Sequence, residues 1–109
     1  MPTDTTGSTQ VFPVIVGGDA GRVYVSWQDN RAGPFNTWFR ASRDGGRTWD
    51  AEVQVSQFIR GFEYKTSDGY TFTYGDYYGM ARDGSRVHIA WGEGPDYIGP
   101  GNVWYSTGW

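Results

Sequence analysis

The sequence contains no cysteine and no leucine, and His88 is its only histidine. Without cysteine there is no disulfide framework. A metal site built from several His or Cys ligands is excluded, and so is Cys–His nucleophilic chemistry. The serines lack a partner base for the same reason. Missing Leu, with only six Ala in 109 residues, argues against helices, because those residues are the usual fillers of helix faces. The longest apolar run is Val14–Val16, far below the ~20 residues that cross a bilayer. No basic stripe is present: nine Lys plus Arg stand against twelve Asp plus Glu, for a net charge of −3. A nucleic-acid backbone is therefore a poor partner. The Gly17-Gly18 and Gly45-Gly46 pairs fall at β turns with no helix behind them, so no phosphate loop is formed.

Glycine and aromatics fill the space those absences leave. The chain holds 17 Gly, 6 Trp, 8 Tyr and 6 Phe. The glycine share is about twice the usual ~7% and signals many turns. Trp, Tyr, Phe, Val and Thr suit pleated, half-buried surfaces. Composition therefore predicts an all-β fold with many short strands.

The pattern along the chain agrees. Residues 1–10 are polar and Thr-rich, with low folding drive and no signal-peptide pattern. They read as a flexible leader or a strand-exchange segment. Val11–Val16 is a strand closed by Gly17-Gly18-Asp19. Arg22–Trp27 alternates, with Val23, Val25 and Trp27 on a strongly apolar face and Tyr24 and Ser26 on the other. Asn36–Ser42 is a third strand. Trp49–Ser56 is a fourth, with Val53 and Val55 predicted inward and Glu52, Gln54 and Ser56 outward. Residues 57–75 read as an inserted hairpin or ordered loop around Ser67-Asp68-Gly69. A second cycle follows, with strands at Tyr77–Arg82, Arg86–Trp91 and Asn102–Thr107. The cycles align: Asp19-x-x-Arg22-Val23-Tyr24-Val25-Ser26-Trp27 matches Asp83-x-x-Arg86-Val87-His88-Ile89-Ala90-Trp91. Asn36-Thr37-Trp38-Phe39 likewise matches Asn102-Val103-Trp104-Tyr105. A repeat of short strands is the mark of a radial array.

One segment carries a family signature. Ser42-Arg43-Asp44-Gly45-Gly46-Arg47-Thr48-Trp49 fits S-x-D-x-G-x-x-W, with Ser42, Asp44, Gly46, Thr48 and Trp49 on the key positions. It resembles the Asp-box, or bacterial neuraminidase repeat, of sialidase-like β-propellers. In that family the box is the turn between the third and fourth strands of a blade, where the strand pattern also puts it here. Asp44 can accept backbone N–H bonds inside the turn, and Gly46 can supply a positive φ. The resemblance covers roughly residues 11–107. It implies an all-β fold of two four-stranded antiparallel blades, the first at 11–56 and a second, incomplete one at 76–109. It also implies an extracellular or secreted setting.

The family closes rings of about six blades, and this chain supplies about two. A bare blade face of ~500 Å² would forgo on the order of 10 kcal/mol, comparable with the stability of a whole domain. Exposed strand edges also recruit other strands. The expectation is self-association, with three copies closing a six-bladed ring through heterologous contacts. No cofactor, metal or membrane is implied.

Function then falls to a structural or glycan-binding module. The alternative is a part or relic of a secreted sialidase-like glycoside hydrolase. Sialidases resemble one another in an arginine triad, a Tyr–Glu nucleophile pair and an acidic Asp, and that set cannot be placed on these residues. The chain alone is therefore not expected to be an enzyme. The ligand-binding candidates are Asp29, Arg31, Asp76, Tyr77 and Tyr78. An Arg can hold a carboxylate bidentately, although Asp29 and Arg31 can equally satisfy each other. Asp76-Tyr77-Tyr78 offers a carboxylate and two phenols, or a strand start with buried tyrosines. Glu93 and Asp96 could pair as acid and base, or remain solvated loop charges. Trp27, Trp49, Trp91 and Trp104 sit as core between blades. Phe62, Tyr64, Tyr70, Phe72, Tyr74 and Tyr97 fall outside the repeat and suit a sugar-stacking patch or a cover for the blade ends.

Overall fold

The computed structural model describes residues 4–58, 65–66, 69–70, 77–93 and 102–109, with backbone alone at 65–66, 69–70, Glu93 and Asn102. The fold is all-β, and the described residues contain no α-helix. Four strands form the first sheet in sequence order: β1 (Gln10–Gly17), β2 (Val23–Asp29), β3 (Asn36–Ser42) and β4 (Val53–Gln54). A two-stranded ladder pairs β5 (Lys65–Thr66) with β6 (Gly69–Tyr70), inside the segment read as an inserted hairpin. The second main sheet orders β7 (Tyr78–Asp83), β8 (Arg86–Glu93) and β9 (Asn102–Gly108). All pairings are antiparallel, and neither main sheet closes on itself.

The two main sheets pack face to face. Alternation puts Tyr24, Ser26, Phe39 and Ala41 on one face of the first sheet. Met80, Val87, Ile89 and Trp91 share one face of the second. Tyr24, Phe39, Val87, Ile89 and Trp91 form the buried core, flanked by Ala41, Val55, Tyr78 and Met80. Two polar links join the sheets as well. The Tyr78 hydroxyl meets Ser26 Oγ, and Arg82 pairs with Asp19 at 2.7 Å. A bulge in β1 between Val11 and Val14 interrupts its register with β2. It places Phe12 at φ 52°, where it packs with Val11 against buried Phe35.

The first sheet's buried face differs from the apolar alternation. Val23 and Val25 are only half-buried, whereas Tyr24 and Ser26 face the second sheet and are buried. Partner contact, not side-chain polarity, decides which face is covered. The fourth strand differs more. Its ladder spans only Val53–Gln54, Val53 is 38% exposed and Ser56 is buried. Ser56 is covered because its hydroxyl satisfies buried groups of β3: it accepts from the Thr37 N–H at 2.8 Å and donates to Asn36 Oδ1 at 2.9 Å. Glu52 lies on the outward face, as the alternation predicts, but is covered there by a cation described below. Trp91 is buried in the core between the sheets, as expected; Trp27 is buried too, but on the face of the first sheet away from the second. Trp49 is half-buried and Trp104 is 37% exposed, because β9 is an edge strand with no neighbour beyond it among the described residues.

Candidate functional site

Asp29 ends β2 on the face opposite Ser26, and its side chain is fully buried. A buried carboxylate needs partners. Trp27 Nε1 donates to its Oδ2 at 2.8 Å, and the Arg31 N–H donates to Oδ1 at 3.2 Å. The Arg31 guanidinium returns across the loop, with Nε at 2.9 Å and Nη2 at 2.5 Å from Asp29 Oδ2. Its Nη1 donates to Glu52 Oε2 at 2.6 Å. The guanidinium also lies 4.2 Å over the Trp38 ring. Burial alone would lower the Arg31 pKa, but the bonds from Asp29 and Glu52 overcome it and hold the group above its ordinary value. The two sequence candidates Asp29 and Arg31 are therefore joined, with Glu52 and Trp38 completing a cation enclosed by two carboxylates and an indole. Glu52 and Trp38 carried no functional signal in sequence, because only the tertiary fold brings β4 and β3 to this loop. A ligand carboxylate would have to displace both protein carboxylates from Arg31.

Tyr78 lies elsewhere, on the buried face. The Ser26 hydroxyl donates to the Trp38 carbonyl at 2.6 Å, so the Tyr78 hydroxyl donates to Ser26 Oγ. Burial pushes the Tyr78 phenol up to about 12, opposed by bonds with Ser26 and Thr37. It is protonated and a hydrogen-bond donor at neutral pH. Tyr77, beside it, is 80% exposed. It borders a cleft of about 360 Å³ with Gly79, Ala90, Gly92 and Val103. Asp76 and Asp96 lie outside the described residues, as does the Glu93 side chain; so do the aromatics Phe62, Tyr64, Phe72, Tyr74 and Tyr97, and the Tyr70 side chain. The structure thus brings Asp29 and Arg31 together but leaves Tyr78 on the other side of the first sheet. No cluster of metal-ligating side chains occurs among the described residues.

The Ser42–Trp49 turn is held by side-chain bonds to its own backbone. Asp44 Oδ1 accepts the N–H groups of Arg47 and Thr48 at 3.0 and 2.8 Å, and Oδ2 accepts the Thr48 hydroxyl at 2.6 Å. Ser42 Oγ accepts the Gly46 N–H at 2.8 Å. Trp49 Nε1 closes on the Gly46 carbonyl at 3.0 Å. Gly46 has φ +88°, a conformation that other residues adopt with strain. The Thr48 bonds, chiefly, hold the Asp44 carboxyl down to about 2. The turn also docks on its neighbour, with the Gly45 N–H donating to the Gly21 carbonyl at 2.7 Å.

His88 lies on the outer face of the second sheet. Its Nδ1 is 2.6 Å from the Tyr105 hydroxyl, and the two rings stack. No family model, curated protein or solved structure matches the chain.

Proposed function

We propose that the chain is a two-blade Asp-box β-propeller module that assembles with copies of itself into a closed ring, serving as a structural or glycan-binding unit. The observation that carries this reading is the chemistry of the outer faces. Each main sheet buries one face against the other and leaves apolar groups on its far side. Ile15 is 69% exposed on the first sheet. Val103 and Tyr105 are 83% and 60% exposed on the second. Large apolar groups concentrated on a sheet face mark an interaction surface. The two outer faces differ in sequence, so they suit a head-to-tail contact that repeats around an axis. The bonding of Asp44, Gly46 and Trp49 supports the Asp-box likeness, since it performs the turn-closing work that the motif's residue types suggest. The enclosure of Arg31 by Asp29 and Glu52 favours assembly or binding over sialidase catalysis.

Light scattering after size exclusion tests the reading. Three copies of the 12.2 kDa chain should give a particle of about 37 kDa. Val103→Asp places a charge on the outer face and should reduce the mass toward that of one chain. A wild-type mass of 12.2 kDa at all concentrations would overturn the proposal.

A further inference from the structure

Arg22 immediately precedes β2, and Arg43 immediately follows β3. In the β2–β3 register Val23 pairs with Ser42 and Tyr24 with Ala41. Extending that register by one step sets Arg22 opposite Arg43, on the face that carries Tyr24 and Ala41. Like charges directly opposite on a ladder repel each other. Arg43 has a weak countercharge, Asp50, at 3.5 Å and with both side chains well exposed. The Arg22 guanidinium has no hydrogen bond or ion pair among the described residues. Among the described residues Arg22 has only the nearby Asp19 charge, and Arg43 only its long pair with Asp50. Two cations so weakly neutralised and facing the same way form an anion site if something receives the rest of the ligand.

A receptacle is present. Arg22 and Arg43 line a cleft of about 260 Å³ together with Tyr24, Phe39, Asp50 and Trp109. The Trp109 ring stacks on Phe39 with centroids 4.4 Å apart, yet stays 41% exposed, so one side of the aromatic wall is open. Tyr24 is only 3% exposed, but its hydroxyl has no partner among the described residues. A phenol hydroxyl without a protein partner at the cleft lining can donate to a bound molecule.

We propose that this cleft binds a six-membered sugar ring carrying a carboxylate, of the uronic acid class. Arg22 and Arg43 hold the carboxylate by charge-assisted bonds. The Trp109 ring covers an apolar C–H face of the sugar. Asp50 accepts from a ring hydroxyl and the Tyr24 hydroxyl donates to another. The volume suits a single ring, so a terminal residue is taken. The site lies within one chain and stands or falls independently of the ring assembly.

The test is titration of the 15N-labelled full chain with glucuronate, glucose and benzoate, followed at the Trp109 indole N–H. Glucuronate should give a saturable shift, with glucose and benzoate each at least about tenfold weaker. Arg22→Gln and Arg43→Gln should each weaken glucuronate by about tenfold while leaving distant amide signals in place, since both side chains are exposed. Equal binding of glucose would remove the carboxylate from the argument. Benzoate binding as well as glucuronate would remove the sugar. Full affinity in either arginine variant, or no saturable shift, would overturn the site.

Discussion

Asn36→Ala should destabilise the protein by more than the loss of a small side chain suggests. Asn36 is fully buried at the start of β3. Its Oδ1 accepts from the Ser56 hydroxyl at 2.9 Å and from the Phe58 N–H at 2.7 Å. Its Nδ2 donates to the Phe58 and Pro34 carbonyls at 3.2 and 3.3 Å. The β4 ladder holds only two residues, so these bonds, with those to Thr37, fasten the last strand region to the sheet. The two short bonds contribute about 1 kcal/mol each, and a buried donor left without an acceptor adds ~1 kcal/mol or more. The expected loss is about 3 kcal/mol, which lowers Tm by roughly 12 °C at this chain length. Urea unfolding followed by tryptophan fluorescence measures it, at matched protein concentration because assembly would shift the midpoint by mass action. Ser56→Ala should cost about 1–2 kcal/mol, and the double variant should cost less than the two together because they share a bond. A loss below ~1 kcal/mol for Asn36→Ala, or strict additivity with Ser56→Ala, would refute the fastening role.

Three further outcomes follow from the geometry. Arg31→Met should cost about 3 kcal/mol in chemical denaturation, because it strands the buried Asp29 and the nearly buried Glu52; a change within ~0.5 kcal/mol would show that the enclosure is not energetically coupled. The Asp44 carboxyl sits below its unfolded value, so its stabilising contribution is complete above the ordinary carboxylate range and is lost as pH falls toward about 2. Asp44→Asn should flatten that part of the acid-unfolding curve, and an NMR titration midpoint at the ordinary Asp value would contradict the bonding described. Tyr78 is a raised phenol, so its contribution is complete below the unfolded value of 10.0 and drains away as pH rises toward about 12. Tyr78→Phe should cost about 1 kcal/mol and erase the highest-pH tyrosine transition in the ultraviolet difference spectrum; survival of that transition would refute the assignment.

The strands of both main sheets were largely legible in the sequence. Period-two alternation at Val23–Trp27 and Val87–Trp91 specifies a strand wherever it falls, since the pleat imposes it. The Ser42–Trp49 turn was legible too, because its bonds run between residues close in sequence. Burial was less so. Alternation separates two faces but does not say which one meets a partner, and Tyr24 and Ser26 proved to be on the covered side. In the fourth strand the exposure was misread, because Ser56 and Glu52 are covered by bonds to Asn36, Thr37 and Arg31, polar partners distant in sequence. The same distance hid the Arg31 enclosure, whose Glu52 and Trp38 arrive from other strands. The opposition of Arg22 and Arg43 could have been found by counting outward from the turn between β2 and β3, once that hairpin's register is known.

The Ser26–Tyr78 and Asp19–Arg82 links have a geometric consequence. Apolar contact between sheets is non-directional and tolerates sliding and rotation. Two directional bonds at separate points do not, so together they set the angle at which one sheet lies on the other. In any assembly that repeats this contact, that angle determines how many copies complete a turn. Substitutions at Tyr78 or Asp19 would then alter copy number as well as melting temperature, making a phenol and a surface carboxylate the parts of this chain that do the counting.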